Sequence, residues 1–144
     1  MTQTNNPSMR SRYRGCLIAG AVGDALGAPV EFMSLAQIRT TFGPSGIGKF
    51  ASAYGRLGAI TDDTQMTMFT AEGLIRAWVR GALKGICHPP SVVHYAYLHW
   101  LKTQGGSAKL PDGEPMEIDG WLIKLPELWS RRAPGNDAVG RPRR

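Results

Sequence analysis

Two cysteines and three histidines are the only thiol and imidazole metal ligands in this 144-residue chain. Cys16 and Cys87 can build neither a disulfide framework nor a four-thiolate zinc site. Reduced thiols fit a cytoplasmic protein. His88, His94 and His99 lack the i, i+4 spacing that turns two imidazoles to one helical face, so partly exposed, structural histidines are expected. Long apolar runs are missing as well. The nearest candidate is "RSRYRGCLIAGAVGDALGA", in which only Cys16 to Gly23 is uncharged and apolar before Asp24 closes it. A membrane span needs about 20 such residues, so this segment is read as neither a span nor a leader.

The body of the chain also lacks excess positive charge, although the whole carries +6. Residues 1–14 hold Arg10, Arg12 and Arg14 without an acid, and residues 131–144 hold five arginines against Asp137. Residues 15–130 hold nine basic and ten acidic residues, so no basic groove for nucleic acid is expected there. What remains is the composition of a single-domain globular protein: 42% hydrophobic, 19% charged, with 18 glycines and 10 prolines that call for many turns.

One glycine-rich stretch imitates a phosphate-binding loop. "GPSGIGKF" runs from Gly43 to Phe50 and has Gly48-Lys49 at the right spacing. The hydroxyl that would hold magnesium is missing, because Phe50 follows the lysine. The preceding "IRTTF" is a poor buried strand, and Gly55 and Gly58 discourage a helix afterwards. A surface turn is expected.

Strand alternation is absent, and the periodicity is helical throughout. A helix is expected over 11–27 with Ser11 as N-cap. Gly15, Ala19, Gly23 and Gly27 recur there every four residues, a ridge of small residues that suits close approach of another backbone, so this helix is expected to be central. A short helix ends at Gly43. The clearest amphipathic segment is 64–84, with Ala71, Leu74, Ile75, Trp78 and Ala82 on one face and Gly85 as a stop. Another helix follows Pro90 and ends at Gly105-Gly106, and a short helix or helix pair surrounds Pro126. The fold class is all-α.

Two segments carry chemistry. "GAITDDTQM", Gly58 to Met66, places Thr61, Asp62, Asp63 and Thr64 directly before the long helix. Such residues serve as N-caps and complement the helix dipole. A cap uses one acceptor, however, and this turn offers several hard oxygens of the kind that suit Mg²⁺ or Mn²⁺. "GDALGAPVEF", Gly23 to Phe32, places Asp24 in a mostly apolar helix, where a charge is costly unless paired, and Glu31 just beyond its end. Glu31 is equally compatible with an exposed position.

Taken together, "RYRGCLIAGAVGDALGAPVEF" (12–32), "GAITDDTQMTMFTAEGLI" (58–75) and "RRAPGN" (131–136) resemble the ADP-ribosylglycohydrolase family over residues 10–136. The resemblance implies an all-α helical bundle with two metal ions, usually magnesium, in a cleft that binds ADP-ribose. It implies hydrolysis of the glycosidic bond in an ADP-ribosylated protein or a small ADP-ribosyl substrate, with no nucleic-acid or membrane partner. Carried over, Thr61, Asp62 and Asp63 match the first metal-ligand motif. Glu31 matches the catalytic glutamate beside the metals and the reactive ribose, and Asp24 matches an acidic position with a structural role.

The sequence also departs from the family. The second ligand motif, Asp-x-Asp-Thr, is absent, and after "RRAPGN" the chain reads "DAVGRPRR". The expected organisation is a loose segment 1–9, an N-terminal portion of the family domain over 10–134, and a disordered, out-of-frame or post-truncation tail over 135–144. On that reading the chain is an inactive fragment with half of a metal site. The alternative is a non-catalytic ADP-ribose-binding or structural member of the family.

Overall fold

The computed structural model describes residues 8–107, 110, 113, 114 and 116–132. Most of segment 1–9 and the whole tail 135–144 lie outside the described residues. The chain divides into two compact units, Met1–Ile60 and Thr61–Arg144.

The first unit holds helix α1 (Met9–Gly27), helix α2 (Leu35–Phe42) and a minimal hairpin, β1 (Ser52–Ala53) against β2 (Arg56–Leu57). The N-cap of α1 is Ser8 rather than the expected Ser11; its Oγ accepts the Ser11 amide at 3.2 Å. Of the α1 residues only Ala25 is buried, while Tyr13, Leu17, Ile18 and Val22 are exposed. A Cβ added at Gly15, Gly20, Gly23 or Gly27 would meet no atom within 4 Å. Among the described residues, then, no neighbouring backbone packs against the glycine ridge of α1. Helix α2 is closed at its start by a reciprocal capping box between Ser34 and Gln37.

The phosphate-loop imitation resolves into turns. A helix, α2, precedes it instead of a strand, and Gly43 and Gly46 adopt positive φ. The hairpin beyond turns through Tyr54 and Gly55 at φ 49° and 75°, the left-handed pair that a two-residue hairpin loop requires.

The second unit is built on an antiparallel helix pair. Helix α3 (Asp62–Lys84) ends at Gly85 in the left-handed conformation, and helix α4 (Pro89–Thr103) starts with two prolines where no amide donor is needed. Contacts run in opposite directions along the two: Gln65 meets Gln104 and Trp100, Thr70 meets Tyr97, and Gly73 meets Val93 and Ala96. Beyond α4, Leu122–Lys124 and Pro126–Leu128 form single 3-10 turns, the pair expected around Pro126. Phe69, Ala96, Trp100 and Leu128 form the core, with Met66, Tyr97 and Leu122 packed against it.

The buried face of α3 differs from the one its apolar spacing predicts. Leu74, Ile75 and Trp78 are exposed, and the face turned to α4 carries Phe69, Glu72, Gly73 and Ala77. Gly73 decides this register. A Cβ there would lie 2.9 Å from Val93 Cα and 3.2 Å from Ala96 Cβ, so any side chain pushes backbone away from backbone. Gly73→Ala gains about 1 kcal/mol of helix propensity but overpacks the contact at a cost of about 1–3 kcal/mol. Net destabilisation is expected in urea unfolding. A stabilised variant would show that the helices do not approach this closely.

Candidate functional site

Thr61 is the residue on which the candidate site turns. It is buried, has extended backbone, and caps α3 by accepting the Asp63 amide on Oγ1 at 3.2 Å. The cap rotates the chain so that Asp62 and Asp63 open the first helical turn. Asp62 is half-buried, Asp63 is exposed, and Thr64 is buried beside them. Thr61, Asp62 and Asp63 thus share one turn at the start of α3.

The same turn is tied to distant chain. The Asp62 amide donates to the Arg132 carbonyl at 3.1 Å, so "TDDT" and the start of "RRAPGN" are backbone neighbours. Behind them Gln65, 1% exposed, donates to the Ser130 carbonyl at 3.1 Å and accepts from Trp100 Nε1 at 3.2 Å. Gln104 Nε2 also donates to Gln65 Oε1, at 3.0 Å, and Gln104 Oε1 accepts the Arg132 amide at 3.4 Å. Sequence reasoning did not find Gln65 or Gln104. The available signal was a glutamine on the inward face of a helix, one turn after the acidic pair.

Glu31 belongs to the first unit, in the turn that follows α1, where it is exposed. That turn is held by backbone bonds from Ala28 N to Asp24 O, Val30 N to Gly27 O and Met33 N to Val30 O, each 2.8–2.9 Å. Asp24 is half-buried on α1.

A second polar group lies between α3 and α4. Glu72, 2% exposed, accepts the Trp121 amide, and Arg76 pairs with Asp119. His99 is fully buried, unlike the exposed His88 and His94, which corrects the expectation for that residue. Its Nε2 lies 3.2 Å from the Glu117 carbonyl, an acceptor only, so Nε2 carries the proton. Gly120, at φ 118°, lets the loop pass over Glu72: a Cβ there would lie 2.9 Å from Glu72 Oε1.

The donor set at α3 suits a hard cation. Two adjacent carboxylates and a hydroxyl offer oxygen donors alone. Among the described residues no three His, Cys, Asp or Glu side chains gather as a metal-binding group. Both cysteines are free thiols. Among the described residues no helix is long and apolar enough to cross a membrane.

Comparison with known proteins places these segments. Over 102 residues the chain is 40% identical to the ADP-ribosyl-[dinitrogen reductase] glycohydrolase of Rhodospirillum rubrum, a match covering 68% of this chain and 31% of that protein. Over 70 residues it is 41% identical to an uncharacterized protein of Archaeoglobus fulgidus, covering 46% of this chain and 22% of the relative. The matches thus span less than a third of either relative. No solved structure matches the chain significantly. The sequence model of the ADP-ribosylglycohydrolase family matches residues 5–142, so with its mostly helical architecture the chain belongs to the ADP-ribosylglycohydrolase family.

Proposed function

We propose that this chain contributes to hydrolysis of an ADP-ribosyl bond, with an ADP-ribosylated protein or a small ADP-ribosyl compound as substrate. The observation that carries the reading is the capped Thr61–Asp62–Asp63 turn, hydrogen-bonded through the Asp62 amide to the "RRAPGN" segment of the same family pattern. Thr61, Asp62 and Asp63 would hold magnesium, or manganese in its place, as one ligand set of a binuclear site. Bound there, the metal would orient ribose hydroxyls and acidify a water.

The remaining roles fall to the chain's own groups. As the C1″–N bond breaks, its electron pair stays on the departing nitrogen, which takes a proton, and positive charge builds on the ribose. Glu31 is the carboxylate proposed to stabilise that charge, and water oxygen completes the new bond to C1″. The sequence holds one ligand motif, so the 144-residue chain alone is expected to bind metal without releasing ADP-ribose.

The test is a chimera in which the matching segment of this chain replaces its counterpart in the Rhodospirillum rubrum glycohydrolase. Release of ADP-ribose with Mg²⁺ supports the reading. A folded chimera that binds ADP-ribose without turnover would make this chain a binding member of the family.

The metal assignment is tested on the chain itself. Asp62→Ala and Asp63→Ala are each expected to weaken Mn²⁺ binding by at least about tenfold while leaving helix content nearly unchanged, since a removed carboxylate takes away both a ligand and a charge. Calorimetric titration with circular dichroism separates the two effects. Wild-type affinity in both variants would remove these residues from the ligand set.

A further inference from the structure

We propose that Gln65 is a positioning residue that fixes the Thr61–Asp63 turn against the Ser130–Arg132 segment, and thereby sets the cation affinity of that turn. The inference rests on the metal reading above for its function, but its geometry stands apart from it.

Every link through Gln65 has a fixed direction. The Trp100 indole can only donate, so the atom facing it at 3.2 Å is Oε1. The Ser130 carbonyl can only accept, so the atom facing it at 3.1 Å is Nε2. The two partners thus assign the same orientation to the amide. Gln104 continues the chain: its Nε2 donates to Gln65 Oε1 at 3.0 Å and to Thr103 Oγ1 at 2.9 Å, and its Oε1 takes the Arg132 amide at 3.4 Å. Arg132 then returns to the start, because its carbonyl accepts the Asp62 amide at 3.1 Å. The Gln65 amide itself donates to the Thr61 carbonyl at 3.3 Å. The result is a closed ring of bonds that begins and ends at the acidic turn.

A buried amide in such a ring is poorly replaceable. Gln65 and Trp100 are each within 2% of full burial, so an apolar residue at 65 would strand a buried indole donor and take the partner from the half-buried Ser130 carbonyl. An ordinary core position next to Phe69 and Trp100 would be apolar. The polar residue ties the backbone of Asp62 to a segment 70 positions later in the chain.

Gln65→Met tests this, because it keeps length and charge while removing every side-chain bond. In the 144-residue chain it is expected to weaken Mn²⁺ binding at least about tenfold and to speed hydrogen exchange at the Asp62 amide by a similar factor, as loss of its fixed carbonyl partner requires. Exchange in the middle of α4 should hold. A purely packing role would lower the melting temperature and leave both Asp62 protection and affinity in place, and that result overturns the proposal. Should Gln65→Met fail to fold, Gln104→Met severs the ring at the end of α4 and is expected to give the same selective loss at Asp62. If the wild-type chain binds no Mn²⁺, the metal reading fails by itself. Asp62 exchange then decides the positioning claim alone: unchanged protection sinks it.

Discussion

Glu31→Gln in the chimera with the Rhodospirillum rubrum glycohydrolase is expected to keep the fold and to lower ADP-ribose release by about 10²–10⁴-fold, the range typical for loss of a positioned catalytic carboxyl. The two parts of this expectation have separate physical grounds. Glu31 is exposed, and the turn that carries it is closed by backbone bonds among Asp24, Gly27, Ala28, Val30 and Met33 that a side-chain amide leaves intact. An exposed substitution of this kind shifts stability within about 0.5 kcal/mol. The amide is nearly the same size but has no charge to offer a ribose that is becoming cationic. Turnover should therefore collapse while cooperative unfolding stays in place. Unchanged turnover would return Glu31 to an ordinary surface position and pass the role to another acid.

Local chemistry was the most legible layer of the sequence. Thr61 is readable as a cap, Gly85 as a stop, Pro90 as lying near a helix start, and the "GPSGIGKF" loop as turns, because each depends on a few adjacent residues. Ser8 displaced Ser11 as the cap of α1, since either serine fits the local rule and only the observed hydrogen bond selects one. Long-range pairing was not legible. Nothing around Gln65 announces a partner at Ser130, and nothing around Asp62 announces Arg132, because those bonds join positions far apart in sequence. The burial of His99 is hidden from the local pattern for the same reason: its ring faces the distant loop carrying Glu117 and Asp119. The ridge on α1 names no partner among the described residues. Small residues make close approach sterically allowed, but they supply no attraction that fixes a partner.

The largest effect on stability is expected from Trp100→Ala, set beside Trp78→Ala as its counterpart. Apolar spacing alone favours Trp78, which shares a helical face with Leu74 and Ile75, yet 75% of Trp78 is exposed and only 2% of Trp100. Trp100 packs with Phe69, Ala96 and Leu128 in the core, and its indole donates to Gln65. Truncating it removes transfer energy and leaves a cavity, at about 3–5 kcal/mol. The Gln65 carbonyl keeps its bond from Gln104, so that acceptor is not stranded by the loss. A domain is typically stable by only about 5–15 kcal/mol, and a core built from so few large side chains belongs at the low end. Trp100→Ala is therefore expected to unfold the second unit or shift its urea midpoint far down. Trp78→Ala is expected to stay within about 0.5 kcal/mol of the wild type. Equal losses in the two variants would mean that α3 also buries the face carrying Leu74, Ile75 and Trp78, and the orientation of that helix against α4 would have to be redrawn.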